Sequence, residues 1–109
     1  MRIEVHGHDI EVTAALRDYV ETRFRRVQRY LEQSDDIRVQ LKLDKPRHCA
    51  EATVTRHGRT LHVDAAADDM YAAIDLLTDK LERALVRAKE KEHDQARRTG
   101  GLARSGGFG

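Results

Sequence analysis

Apolar residues alternate with polar ones in four short stretches and recur at steps of three or four in two longer ones, and this change of period lays out the chain. Ile3 and Val5 alternate with Arg2, Glu4 and His6, which predicts a half-buried strand over residues 2–6, broken by Gly7 and Asp9. Leu16, Val20, Phe24, Val27 and Leu31 then step at helical spacing. They predict an amphipathic helix that starts from a Thr13 cap, runs to about residue 32 and ends at Ser34, Asp35 and Asp36. Ile37, Val39, Leu41 and Leu43 alternate with Arg38, Gln40 and Lys42, the clearest strand in the chain, and Lys45, Pro46 and Arg47 form the turn out of it. Ala50, Ala52 and Val54 give a third strand, His57, Gly58 and Arg59 a hairpin turn, and Leu61, Val63 and Ala65 a fourth strand. Asp68 or Asp69 can accept the free amides at the start of a second helix, whose buried stripe is Met70, Ile74, Leu77, Leu81, Leu85 and Ala88.

Four strands with one apolar face each, and two helices with one apolar stripe each, close into an α+β two-layer sandwich. The order is β-α-β-β-β-α, with a four-stranded sheet carrying both helices on one face and its polar face open to water. A right-handed β-α-β start followed by two hairpin reversals makes the two helices parallel to each other. Residues 1–95 are expected to form one domain. Residues 96–109 turn polar, basic and glycine-rich, a composition that cannot bury enough apolar surface to order itself, and are expected to be a disordered tail.

Composition narrows the class. A chain of 109 residues, 39% hydrophobic with two Phe and no Trp, holds one modest core. No apolar run approaches the roughly 18 residues of a membrane span, and the first residues lack the apolar region of a secretory signal, so a cytoplasmic location is expected. Cys49 is the single cysteine and excludes an internal disulfide. The formal net charge of +1 is weak as a whole but strongly segmented: residues 60–79 hold five acids and no Lys or Arg, whereas residues 80–104 hold eight Lys or Arg against four acids.

The cations are also segregated around each helix. Lys80, Arg83, Arg87 and Lys91 fall in one narrow sector, roughly a quarter turn from the apolar stripe of the second helix. In the first helix Arg23 and Arg26 share a sector with Tyr19 and Tyr30 on the same rotational side. With parallel helices, one basic row lines the groove between them and the other forms an outer shoulder. Rows of cations beside a core face suit a phosphate backbone, although a basic stripe is often a merely solvated surface. Tyr19, Tyr30 and Tyr71 read as helix-edge packing with the hydroxyl in water in preference to base stacking.

Other chemistry fares poorly. His6, His8, His48, Cys49, His57 and His62 are many, but no C-x-x-C or H-x-x-x-H spacing occurs and the first and fourth strands are expected at opposite sheet edges, so no zinc site and no cofactor is predicted. Cys49 reads as a half-exposed strand residue with no positioned His partner. No glycine-rich phosphate loop occurs and the carboxylates cap helices or pair with neighbouring cations, so the chain does not read as an enzyme. A protein-docking module would show an apolar patch, whereas the open sheet face offers mainly Arg, Gln, Lys, Glu and Thr.

The run Asp69-Met70-Tyr71-Ala72-Ala73-Ile74-Asp75, followed by Asp79-Lys80-Leu81 and preceded by Val12-Thr13-Ala14-Ala15-Leu16-Arg17, resembles the ribosome hibernation promoting factor family, which includes the ribosome-associated inhibitor proteins. The resemblance covers roughly residues 1–95. It implies a stress or stationary-phase factor, a monomer when free, that sits in the decoding channel of the small ribosomal subunit. There it competes with messenger and transfer RNA and inhibits translation by occupancy. It further implies that Arg23, Arg26, Lys80, Arg83, Arg87 and Lys91 match positions whose side chains meet ribosomal RNA phosphates. The chain is similar to short-form members, which either help ribosomes pair together with a separate ribosome modulation factor or oppose pairing through an acidic tail. Arg97, Arg98 and Arg104 make this tail basic and favour the pairing kind. The alternatives are an inhibitory subtype that opposes dimerisation and a general structured-RNA-binding module.

Overall fold

A computed structural model describes residues 2–97, with side chains as far as Lys91. Strand β1 (Arg2–His8) leads to helix α1 (Ala14–Phe24), which tightens into a 3-10 segment (Arg25–Tyr30). Strands β2 (Asp36–Asp44), β3 (Arg47–Arg56) and β4 (Arg59–Ala67) follow, and helix α2 (Met70–Arg97) completes the described residues. The sheet order is β1-β2-β3-β4, with β1 parallel to β2 and the remaining neighbours antiparallel. A parallel pair needs a crossover, which α1 supplies, whereas β2, β3 and β4 are joined by short reversals. This is the expected β-α-β-β-β-α sandwich, and β1 and β4 do lie at opposite edges. The segment from residue 98 onward, and with it most of the expected disordered tail, lies outside the described residues.

Register explains the two-sidedness of the sheet. Ile3, Ile37, Val54 and Leu61 align in one row across the four strands, and Val5, Val39, Ala52 and Val63 in the next. Those rows face the helices, where Leu16, Val20, Phe24, Val27, Ile74, Leu77 and Leu81 join them in a single core. Met70 and Ile74 are core residues, as their spacing predicts. Gly7 continues the core side of β1 beneath the loop to α1, where a Cβ would stand 2.1 Å from the Ile10 carbonyl oxygen. Only a glycine permits that approach. His57 and Gly58 both take positive φ, 50° and 79°, the conformation that matches a two-residue hairpin to the twist of its strands.

The local signals at the helix ends hold. Thr13 Oγ1 accepts the Leu16 amide at 3.1 Å. Asp69, of the two candidate aspartates, accepts the Ala72 amide at 2.9 Å. The first helix departs from expectation: it is α-helical only to Phe24 and does not run to about residue 32. The reason is in the spacing of its apolar residues, which step by four from Leu16 to Val20 to Phe24 and then by three to Val27 and Tyr30. Three is the repeat of a 3-10 turn, in which side chains three apart eclipse. The change turns Tyr30 inward, so it does not share the sector of Arg23 and Arg26; Arg29 stacks over its ring at 5.0 Å.

The loop after this segment is pinned by a buried ion pair. Asp35, 1% exposed, accepts two bonds from Arg56, at 2.9 Å from Nε and 2.7 Å from Nη2, and a third from the Glu32 amide at 2.8 Å. Arg56 also donates to the Tyr30 carbonyl at 3.1 Å. Burial pushes the Asp35 carboxyl towards the neutral form, but the bonds from Arg56 and Glu32 outweigh it and hold its pKa below the ordinary 3.8. Asp35 thus ties the end of the 3-10 segment to β3, a role beyond that of a helix stop.

Candidate RNA-binding surface

Parallel packing of α1 against α2 sets two basic rows in different surroundings. The contacts step forward along both helices together. Tyr71 meets the Tyr19 ring edge to face at 4.9 Å, Arg23 meets Asp75, and Arg26 meets Asp79 and then Glu82. Asp75, Asp79 and Glu82 recur at steps of four and three, so they form one acidic row on the α2 flank that faces α1.

The groove row is therefore neutralised. Arg23 Nε lies 3.0 Å from Asp75 Oδ1, Arg26 Nε lies 3.4 Å from Glu82, and Arg26 also bonds to Asp79. Tyr19 connects the set by donating to Asp75 at 2.8 Å and accepting from Arg23 at 3.0 Å. The Tyr19 hydroxyl is thus engaged by protein groups, against the expectation that it faces water. Its bond to Arg23, reinforced by the Asp75 charge, raises the guanidinium pKa above its already high ordinary value. Both arginine side chains remain 46% exposed, so one face of each fork still looks outward.

The opposite flank of α2 is different. Lys80, Arg83, Arg87 and Lys91 project beyond the β4 edge, and all four are exposed. Lys80 is anchored, donating from Nζ to the Asp64 carbonyl at 2.9 Å. That contact spends no negative side chain, so its charge stays uncompensated. Among the described residues Arg83, Arg87 and Lys91 have no carboxylate partner. Leu76, 44% exposed, sits in the same sector one turn before Lys80 and gives the row an apolar end.

The six residues expected from the sequence thus divide into two clusters: Arg23 and Arg26, paired in the groove, and Lys80, Arg83, Arg87 and Lys91, an open cationic edge. The outer row combines fixed helical spacing with, among the described residues, no ion pair to a carboxylate, an arrangement suited to repeated phosphate contact. The sequence reading missed the acidic row. Its signal was the spacing of Asp75, Asp79 and Glu82 on the flank opposite Lys80, which parallel helices turn directly towards Arg23 and Arg26.

Comparison with known proteins places the chain in a family. The family model described as Sigma 54 modulation protein / S30EA ribosomal protein matches residues 3–93. The ribosome hibernation promoting factor of Salmonella typhimurium is 43% identical over 91 residues, covering 84% of this chain and 96% of that protein. The factor of the same name from Azotobacter vinelandii is 41% identical, covering 84% and 86%. Among solved structures, a ribosomal subunit interface protein from Coxiella burnetii superposes with a TM-score of 0.74 at 29% identity, covering 83% of this chain and 99% of that one. The N-terminal domain of Thermus thermophilus Protein Y gives a TM-score of 0.71 at 36% identity, covering 80% and 98%. With the family's match spanning nearly all the described residues, and with relatives aligned over almost their whole length, this chain belongs to the ribosome hibernation promoting factor family.

Proposed function

We propose that the protein is a non-enzymatic ribosome hibernation factor that binds the small ribosomal subunit in the decoding channel through its two helix flanks. Occupancy there excludes messenger and transfer RNA and inhibits translation without any bond being made or broken. Ribosome binding and hibernation follow from the relatives, whose names carry that role. The observation that carries the RNA contact is the outer row: Lys80, Arg83, Arg87 and Lys91 stand on one flank of a helix and, among the described residues, form no ion pair with a carboxylate. Arg23 and Arg26 form a second contact line, with the outward faces of their guanidinium groups meeting phosphate. Such a factor works in the cytoplasm, and the basic Arg97, Arg98 and Arg104 favour paired, inactive ribosomes formed together with a separate modulation factor.

The test is reversal of the outer row. Changing Lys80, Arg83 and Arg87 together to Glu leaves the fold intact, because all three are exposed and the one bond lost, from Lys80 to the Asp64 carbonyl, is a surface contact that costs little. Ribosome binding collapses. Neutral versions of the same positions flatten the dependence of log affinity on log salt by about 0.7–0.9 per lost phosphate contact. Unchanged affinity with an unchanged slope would reduce the row to a solvated surface.

A further inference from the structure

The open face of the sheet holds a second cluster of polar side chains, away from the two helix flanks. Register places Glu51 of β3 directly opposite Asp64 of β4, and Thr53 opposite His62. All four side chains point away from the helices. Two carboxylates facing each other across neighbouring strands repel, and β-sheets ordinarily place a cation or a neutral residue at one of the two positions. Among the described residues no Lys or Arg forms an ion pair with either carboxylate. Lys80, on the flank of α2, bonds to the Asp64 backbone carbonyl and not to its carboxylate. Arg38 and Lys42 are a strand away on β2, flanking Gln40, which is itself the neighbour of Glu51.

What lies between the two carboxylates is the His62 ring. Its Nε2 is 3.7 Å from Glu51 Oε1 and 3.8 Å from Asp64 Oδ2, and one donor atom from each of the three residues falls within 4.8 Å of the others. The ring does not hang freely. His62 Nδ1 is held by the Thr53 hydroxyl at 3.0 Å, which aims Nε2 at the carboxylates. Donors bound tetrahedrally at about 2.0–2.2 Å from a zinc ion stand about 3.3–3.6 Å apart, so the observed separations need only a small inward movement of exposed side chains. An imidazole nitrogen with two carboxylates suits zinc better than magnesium or calcium, which take oxygen sets. A hydroxyl on the second ring nitrogen is the kind of outer contact that orients a ligating histidine.

We propose that Glu51, His62 and Asp64 form a divalent-metal site of zinc type on the open sheet face, with Thr53 as its positioning residue. The ion replaces the repulsion between the opposed carboxylates with attraction to both. A fourth coordination position faces solvent and is open to water or another oxygen donor. The ligands come from the sheet and not from either helix flank, and the Asp64 carbonyl that holds Lys80 is not one of the ligand atoms.

The experiment is calorimetric titration of the full chain with zinc chloride, accompanied by the visible spectrum with cobalt as substitute and by the imidazole nitrogen shifts of the labelled protein. One equivalent binds, the His62 Nε2 resonance moves, and the cobalt spectrum is that of a low-coordinate nitrogen–oxygen site. His62→Gln and the pair Glu51→Gln with Asp64→Asn each abolish this binding. Thr53→Val keeps all three ligands yet weakens it about ten- to a hundredfold. His6→Ala and Cys49→Ser leave it unchanged. Absence of binding by the wild-type chain would overturn the proposal. So would binding that survives His62→Gln, since the ion would then sit elsewhere, and binding indifferent to Thr53→Val would remove its positioning role.

Discussion

Neutralising the acidic row of α2 is predicted to weaken the fold and strengthen RNA binding at the same time. In the triple variant Asp75→Asn, Asp79→Asn and Glu82→Gln, shape is kept and each side chain retains one acceptor oxygen, so the amide oxygen introduced at position 75 can still accept from the Tyr19 hydroxyl while the negative charge is lost. The ion pairs of Arg23 and Arg26 are half-exposed, and surface pairs contribute little each, so the melting temperature drops by roughly 5 °C. Binding moves the other way. A phosphate on the outer face of either guanidinium stands about 8 Å from the carboxylate behind it, where repulsion is about 0.5 kcal/mol in water and about 0.2 kcal/mol after physiological screening. Removing three such charges therefore tightens binding about three- to tenfold, more at low salt than at high. Fluorescence anisotropy with labelled protein and purified small subunits reads the affinity, and differential scanning calorimetry reads the stability. A less stable variant whose affinity is unchanged or weaker would refute the assignment of Arg23 and Arg26 to RNA contact.

Further consequences concern the buried pair. Asp35→Ala takes from the Arg56 guanidinium, only 10% exposed, its buried carboxylate and leaves it the half-exposed Glu32 carboxylate at 3.5 Å, and removing one partner of a buried pair costs about 3–5 kcal/mol. Urea denaturation is expected to show that loss, a large share of the ~5–15 kcal/mol total of a typical domain, and replacement of both residues by Leu and Met is expected to cost less than Asp35→Ala alone. Because the folded pKa of Asp35 lies below the ordinary 3.8, its stabilisation is present above that value and is lost as pH falls through the folded pKa. Stability measured from pH 5 down to pH 2 is thus expected to fall more steeply in the wild type than in Asp35→Asn; identical slopes would contradict the role given to Arg56.

Much of this architecture was legible in the chain because each strand buries one face, so alternation fixes which residues look inward, and the parallel helices follow from the connection order. The end of α1 was less plain. Phe24, Val27 and Leu31 are compatible with an α-helix, and only the three-residue steps from Phe24 through Val27 to Tyr30 mark the tighter turn. Asp35 read as a helix stop because its partner Arg56 lies 21 residues away on another strand, a distance no local pattern spans. The two basic rows were visible as angular sectors, yet their inequality was not. Whether a cation is free depends on what the neighbouring helix presents, and no pattern within the first helix marks Asp75, Asp79 and Glu82 as its neighbours. The zinc-type cluster was hidden for the same reason: His62 was weighed with the other histidines, whereas its close companions are a glutamate on the adjacent strand and an aspartate two residues on.

The most direct measurement is co-sedimentation of the purified protein with small ribosomal subunits, with and without messenger RNA and initiator transfer RNA. Occupancy of the decoding channel predicts that the protein pellets with small subunits alone and is released as the two RNAs are added. Pelleting only with large subunits, or retention on small subunits already filled by both RNAs, would contradict it.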